Sequence, residues 1–260
     1  MKLVVKIFIL LYITSSYSQK GVVYYGFIKA LEIGNLKGPD SNAYMIFNKE
    51  QSYYVTSKDS LEKIENKNIQ RTFLNDNDSG GVIYNGLKVG DQGDQVVYNI
   101  KKDTIWSNLL YGKYVYIKEP NPKINWKIEK ETKKIGNFTC QKASANFRGR
   151  NYIVWFTFDI PVKFGPWKLN GLPGLILEAY DKNKEVYWYL KSVDYNTNKK
   201  LKIKNMFVPD NVEVLTYQDF KSFQKNEQEK TLEKGRILKQ SYPEIEVIKA
   251  PLSAFFIECN

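Results

Sequence analysis

Histidine is absent from this chain of 260 residues, and its absence excludes several classes of site. Without an imidazole the chain cannot build a Ser-His-Asp or Cys-His catalytic arrangement, an HExxH zinc site or the usual proton shuttle of neutral pH. The two cysteines are too few for a zinc site with four cysteine ligands. Neither a GxGxxG fingerprint nor a P-loop occurs. We therefore predict no cofactor and no catalytic residue of these classes. Four aspartates are an alternative calcium site, Asp76, Asp78, Asp91 and Asp94, but they lack the spacing of a known calcium loop, and we predict no metal site.

Long hydrophobic runs are also lacking, apart from a short one at the N-terminus. Residues 1–18 combine a basic start, an apolar run from Leu3 to Ile13 and a polar end. This order is typical of a cleaved signal peptide, and we predict cleavage between Ser18 and Gln19. The alternative is an N-terminal membrane anchor, which needs about 20 apolar residues. We expect a mature chain without a transmembrane segment, in the periplasm or associated with the outer membrane.

Basic residues outnumber acidic ones by 39 to 28, which gives a formal net charge of +11. Loss of Lys2 and Lys6 with the signal peptide lowers this charge to +9. Such an excess suits nucleic acid, anionic lipid or acidic glycans. However, the lysines are scattered and often accompanied by carboxylates, as between Lys127 and Lys134. This pattern favours a solvated surface, and with the expected export it predicts no nucleic-acid partner. A periplasmic or outer-membrane protein or a lipid is the expected partner.

The most distinctive stretch runs from Cys140 to Asp181. Two runs rich in aromatic and β-branched residues, 138–147 and 152–158, flank Arg148-Gly149-Arg150 and predict a β-hairpin. A linker with two prolines follows, and Gly171-Leu172-Pro173-Gly174 then turns the chain into a third strand.

The hexapeptide Gly171-Leu172-Pro173-Gly174-Leu175-Ile176, together with Arg148-Gly149-Arg150 and Trp155 upstream, resembles the signature of the GLPGLI family of bacterial envelope proteins. The close match covers about forty residues. The resemblance implies an exported, β-rich protein of unknown function, and it carries over no catalytic residue.

Short strand-like runs with short connections recur along the chain and predict an antiparallel meander. Local patterns also predict a helical turn at 59–62 and strands at 82–85 and 201–207. The segment from Thr216 to Lys239 is rich in Lys, Glu and Gln and predicts an exposed helix. The fold class is therefore mainly β, a single curved antiparallel sheet or half-barrel with one C-terminal helix packed on it. No linker interrupts residues 19–260, which are predicted to form one domain.

The concave face of such a sheet is the predicted ligand site, because 19 tyrosines and 14 phenylalanines can line a hollow. Arg148 and Arg150 flank a glycine at a hairpin tip, and we predict that both point to one side and bind a carboxylate or phosphate. Trp155 and Trp167 are predicted to line the ligand site. The alternatives are that the arginines pair with nearby carboxylates and that both tryptophans belong to the core.

A non-catalytic binding or carrier protein for a lipid, peptide or protein partner is thus the preferred function. The alternative is a carboxylate-dependent hydrolase of the cell envelope, since two carboxylates suffice for glycoside hydrolysis. Asp159, Glu178 and Asp181 are the carboxylates of the distinctive stretch. Two of them stand at predicted strand ends, where turn roles are commoner.

Cys140 and Cys259 are a possible disulfide in an oxidising compartment. Closing so long a loop would constrain the unfolded chain by about 4–5 kcal/mol in the entropy model. The alternative is a buried Cys140 that acts as a small apolar residue, with a free thiol at Cys259.

Overall fold

The computed structural model describes residues 20–29, 40–56, 93–196, 203–249, 251–254 and 256–259. The predicted signal peptide, its cleavage site, the helical turn at 59–62 and the strand at 82–85 lie outside the described residues. The described residues form twelve strands and one long helix. The strands are β1 (Gly21–Lys29), β2 (Asp40–Phe47), β3 (Gln51–Thr56), β4 (Asp94–Asn99), β5 (Thr104–Tyr111), β6 (Lys113–Pro120), β7 (Lys127–Ile135), β8 (Phe138–Phe147), β9 (Arg150–Thr157), β10 (Leu175–Asp181), β11 (Val186–Tyr195) and β12 (Val214–Leu215); the helix is α1 (Tyr217–Ser241).

All twelve strands belong to one open sheet with the order β12-β6-β5-β4-β3-β2-β1-β11-β10-β9-β8-β7. Every neighbouring pair is antiparallel except β12 and β6, which run parallel. β1 lies between β2 and β11 and joins two meanders, one from β2 to β6 and one from β7 to β11. The prediction of a mainly β fold with a C-terminal helix packed on one sheet is confirmed.

The β8–β9 hairpin turns at Arg148 and Gly149, with φ values of 51° and 78°. Positive φ at both central residues is the geometry of a type I′ turn, whose twist matches that of the flanking strands. A side chain at the first of these positions is conformationally costly. The turn nevertheless carries an arginine, whose contacts are described below.

The chain itself fills the inner face of the sheet. The linker between β9 and β10 folds back onto this face and buries its apolar side chains, which are at most 4% exposed: Ile160, Val162, Phe164, Leu169 and Leu172. They pack against inward-facing residues of the central strands, such as Tyr25 and Trp188. The predicted hollow is therefore occupied by the protein's own linker, a filling that strand patterns alone do not reveal.

Glycine allows this linker to approach the sheet closely. A Cβ atom at Gly174 would lie 2.0 Å from the carbonyl oxygen of Thr157, a separation that no side chain can adopt. Gly174 therefore lets the chain pass against β9 before it enters β10, and this contact explains one glycine of the hexapeptide.

The outer face is covered over its first half. There, Tyr44, Tyr53, Val55 and Val97 form a small apolar cluster against Ile203 and Met206. The predicted strand at 201–207 is wrong for the described residues 203–207, which are irregular. These residues cross the sheet and contribute side-chain contacts instead of a backbone ladder. On β8 to β11, Ser144, Ile153, Tyr180 and Tyr187 on the outer face are half-buried.

Helix α1 begins with a capping box, in which Thr216 and Asp219 satisfy each other's backbone N–H groups. Its first half packs Phe220 and Phe223 against Val115 and Ile117 of β6, whereas Ile237 and Leu238 near its end are exposed. The helix predicted at 216–239 is confirmed with an end two residues later. No helix of the described residues is long and apolar enough to cross a membrane.

Candidate functional site

Arg150 lies inside the molecule, where it binds two carboxylates and the C-terminal segment. Its Nη1 atom donates to Asp181 at 2.9 Å and to Glu185 at 2.5 Å. Its other N–H groups donate to the carbonyl oxygens of Ser253, Phe256 and Ile257 at 2.8–3.0 Å. The guanidinium is thus saturated by protein groups, and it holds residues 253–257 against the hairpin.

Arg148 belongs to a second buried group of charges. It pairs with Glu119, approaches Glu258 at 3.6 Å and stacks on the ring of Tyr217. Lys168 donates to both Glu119 and Glu258, at 2.7 Å and 2.5 Å. We call Arg148, Lys168, Glu119 and Glu258 the ion cluster; their side chains are at most 7% exposed. Two cations and two carboxylates balance each other, as buried charges require.

The structure therefore brings both arginines of the hairpin to the same region but occupies them with carboxylates and tail carbonyls. This is the arrangement of the alternative given for them above, and the ligand role of the two arginines stays a prediction. Sequence reasoning missed Glu119, Lys168 and Glu258. Of these three, only Lys168 could have been noticed in the sequence, because it is a charged residue within an apolar run that contains proline.

The two predicted tryptophans lie in different places. Trp167 packs in the interior, stacked on Trp188 with ring centroids 6.1 Å apart and planes 13° apart. Trp155 lies on the outer side of β9, where the ammonium of Lys133 sits 4.4 Å from its ring centroid. Trp155 is 8% exposed under this ammonium, and Trp167 is half-buried.

Both cysteines are free. Cys140 is fully buried in β8, and burial raises the pKa of its thiol to about 11. The Cys259 thiol lies 3.7 Å from the carbonyl oxygen of Arg148 at the hairpin tip. The tip is eight residues from Cys140 along β8, about 25 Å of extended strand, whereas a disulfide needs Cα atoms within about 7 Å. This separation explains why the two thiols are unbridged.

A shallow depression of about 260 Å³ opens on the outer face. Four residues line it, Glu178, Tyr180, Lys184 and Tyr187, and we call it the tyrosine depression. Tyr180 lies opposite Ile153 on β9 and Tyr187 on β11, and directly opposed residues share one face of a sheet. The depression is therefore a product of strand register.

Aromatic rings form one wall of the tyrosine depression. Tyr180 and Tyr187 meet edge to face with centroids 5.9 Å apart, and Tyr189 follows at 5.6 Å from Tyr187. Burial raises the pKa of the Tyr187 hydroxyl, with further contributions from Glu178 and Tyr180. The hydroxyl is therefore a neutral donor and acceptor at physiological pH.

Glu178 supplies the carboxylate of the depression. Lys133 donates to it at 2.8 Å, and its side chain is 13% exposed. The other two carboxylates of the distinctive stretch lie elsewhere, because Asp159 accepts from Thr157 just after β9 and Asp181 pairs with Arg150. The structure does not assemble the three into one acid pair. Within the described ranges, no group of three or more Cys, Asp or Glu side chains could hold a metal ion.

Comparison with known proteins contradicts the family suggested by the hexapeptide. The family model that matches is that of the N-glycanase N-terminal domain, over residues 118–219. The matched range includes the hexapeptide, so the GLPGLI assignment made from the sequence is wrong. A search of curated proteins finds no match.

Two solved structures, both of PNGF-II, resemble the chain. The structure in space group P21 has 20% sequence identity to this chain and a TM-score of 0.51. The alignment covers 79% of this chain and 33% of the PNGF-II chain. The structure in space group C2 has 19% sequence identity and a TM-score of 0.46. That alignment covers 78% of this chain and 32% of the PNGF-II chain. The chain thus spans about a third of the length of PNGF-II. By fold, it is similar to part of PNGF-II, and one segment matches the N-terminal domain of an N-glycanase.

Proposed function

We propose that this chain is an exported, glycan-directed protein that binds carbohydrate on the outer face of its sheet. The tyrosine depression supports the proposal, because it combines two tyrosine rings, one carboxylate and one lysine in one open concavity. Arg150 supports the turn between β10 and β11, because it pairs with Asp181 and Glu185 on either side of Lys184.

The chemistry of the depression suits a sugar residue. The C–H face of a pyranose packs on an aromatic ring, while carboxylate, hydroxyl and ammonium groups exchange hydrogen bonds with sugar hydroxyls. Binding sites are concave and largely apolar, with a few polar groups that set orientation, and those for drug-sized ligands begin at about 300 Å³. The depression, at about 260 Å³, suits one sugar ring of a longer glycan lying along the surface.

The matching family model supplies the choice of carbohydrate. It describes a domain of an N-glycanase, so N-linked glycans and the peptides that carry them are the ligands to test first. A domain that holds such a glycan would raise the local concentration of substrate at a catalytic unit. The lipid-carrier form of the binding hypothesis loses support, since the linker between β9 and β10 fills the hollow that it required.

A carboxylate-dependent hydrolase is the second candidate, and the comparisons favour it over a purely passive binder. The matched range contains Asp159 and Glu178. Glu178 lies in the open depression and would serve as the acid or base. A carboxylate-dependent hydrolase uses two carboxylates, but Glu178 is the one carboxylate in the four-residue lining of the depression. We therefore rank glycan binding above hydrolysis.

The test is calorimetric titration of the full chain with a defined N-glycan, alongside Tyr187→Ala and Tyr180→Ala. We expect saturable binding that weakens about tenfold or more in each variant. Tyr242→Ala is the control, because Tyr242 is exposed and lies beyond the end of α1. Absence of binding to any N-glycan or glycopeptide would overturn the proposal.

The same samples separate the two candidates. Incubation with an N-glycoprotein, followed by mass spectrometry of released glycan, detects hydrolysis. Release by the wild type that is lost in a folded Glu178→Gln variant would establish the hydrolase instead. Binding without release supports the binding role.

A further inference from the structure

A polar groove of about 470 Å³ continues the tyrosine depression across the outer face. Ser144 and Ile153 line the groove, and they oppose each other across β8 and β9. Ile153 in turn opposes Tyr180, which lines the depression. Groove and depression therefore lie in one row across four strands, so a ligand seated in the depression extends into the groove.

Two lysines of this surface are neutralised by nearby carboxylates. Lys133 bonds to Glu178 at 2.8 Å. Lys142 bonds to Glu131 at 2.9 Å and Glu129 at 3.2 Å. These ammonium groups are committed to protein partners and are weak candidates for ligand recognition.

Three lysines that line the two concavities make no such ion pair among the described residues: Lys127 on β7, and Lys182 and Lys184 on the turn between β10 and β11. Lys182 lines the groove and Lys184 lines the depression. Among the residues that the structure describes, neither makes an ion pair with a carboxylate within 4.0 Å. The turn therefore places two available ammonium groups at the junction of the two concavities.

The backbone of this turn is strained at the lysine. Lys184 has a φ of 57°, a conformation that glycine or asparagine adopts at lower cost. Its N–H group donates to the carbonyl oxygen of Asp181 at 2.8 Å and closes the turn. A charged side chain held where a smaller residue would be more stable is an observation that points to function.

We propose that Lys182 and Lys184 recognise the anionic group of an acidic glycan, either the carboxylate of an acidic sugar or a sulfate ester. This inference rests on the proposed function, because it places the neighbouring sugar in the tyrosine depression. An ammonium on a flexible stem is a compact charge with three rotatable donors, which suits an anionic oxygen at variable positions. The interaction is exposed and depends on ionic strength, since the screening length is about 10 Å at 0.1 M salt.

The experiment titrates the full chain with one biantennary N-glycan in three forms: neutral, sialylated and sulfated. At low salt we expect one of the acidic forms to bind about tenfold more tightly than the neutral form, with an advantage that shrinks at about 0.5 M NaCl. The form that gains affinity identifies the anion as carboxylate or sulfate.

Lys182→Gln and Lys184→Asn are the informative variants, and asparagine retains the left-handed backbone at position 184. Lys182→Gln is expected to lower the affinity for the acidic form about three- to tenfold and leave the neutral form unchanged. Lys184→Asn is expected to lower the affinity for the acidic form by a similar factor and to weaken the neutral form less, because Lys184 also lines the depression. Lys239→Gln on α1 is the matched control, with no change for any form. Equal affinity of the wild type for neutral and acidic forms would overturn this inference alone. If no form binds, both the inference and the proposed function are overturned.

Discussion

Replacement of Lys168 by methionine tests whether the ion cluster holds the C-terminal segment to the sheet. Its ammonium is fully buried and joins Glu119 to Glu258. Methionine has similar length and no charge, so Lys168→Met leaves Arg148 facing two buried carboxylates. Breaking a buried pair in this way costs about 3–5 kcal/mol, a large part of the roughly 5–15 kcal/mol that stabilises a typical domain.

Urea denaturation followed by tryptophan fluorescence measures this loss, and Trp167 beside Lys168 is a local reporter. With a slope of about 3 kcal/mol per molar urea, the midpoint is expected to fall by about 1–2 M. Arg236→Met, which breaks an exposed pair with Glu233, is the control and should leave the midpoint unchanged within error.

A double variant sharpens the test. Glu258→Gln alone also destabilises, because it removes one carboxylate from a balanced cluster. Combined with Lys168→Met it restores charge balance, so the double variant is expected to be more stable than the sum of the single losses predicts. Strict additivity, or a midpoint shift below about 0.3 M for Lys168→Met, would refute the account of the cluster.

Three further predictions concern packing, the helix cap and the buried thiol. Gly174→Ala is expected to lower the free energy of unfolding by about 3 kcal/mol or more, since its Cβ would meet a backbone oxygen at 2.0 Å. Gly112→Ala is the control and should cost only about 1–2 kcal/mol, because a Cβ at Gly112 would have no atom within 4 Å. Both are measured by urea denaturation, and equal losses would contradict the steric argument. Thr216→Ala should cost about 1 kcal/mol and Thr216→Ser far less, as read from thermal unfolding; equal effects would exclude capping by the hydroxyl. The Cys140 thiol should resist a thiol reagent at about pH 8 until the protein unfolds. Its folded pKa of about 11 exceeds the unfolded value of about 8.5. The contribution of this thiol to stability is therefore present below about pH 8.5 and lost towards pH 11. Rapid labelling of native Cys140 would contradict its burial.

Local sequence patterns predict most of the strands and the helix, because each depends on neighbouring residues. The hairpin at Arg148-Gly149-Arg150 follows from turn chemistry, and the helix from Thr216 onward follows from its composition and cap. The strand predicted at 201–207 is wrong for the described residues 203–207, because Ile203 and Met206 serve side-chain packing across the outer face. Apolar alternation is compatible with a strand and with an irregular segment that packs on a sheet, and only the position of the sheet distinguishes the two.

The hexapeptide illustrates how a short motif can mislead. It identifies a tight passage of the chain, where Gly174 lies against β9, and this local constraint is physical. A match to a family model depends on a longer range of residues, and residues 118–219 match the model of an N-glycanase N-terminal domain. The sequence indicates that both arginines of the hairpin are unusual, but it does not show which carboxylates they bind.

The sequence by itself determined the absence of histidine chemistry, the class of fold and the order of strands and turns. The tertiary structure alone decided which distant charges meet, since Lys168 reaches Glu119 across 49 positions and Glu258 across 90. It also decided that the linker fills the inner face and that register aligns Tyr180 and Tyr187 on the outer one. The physical reason is that buried charges and packed surfaces depend on which strands become neighbours, whereas strands and turns depend on the residues next to them.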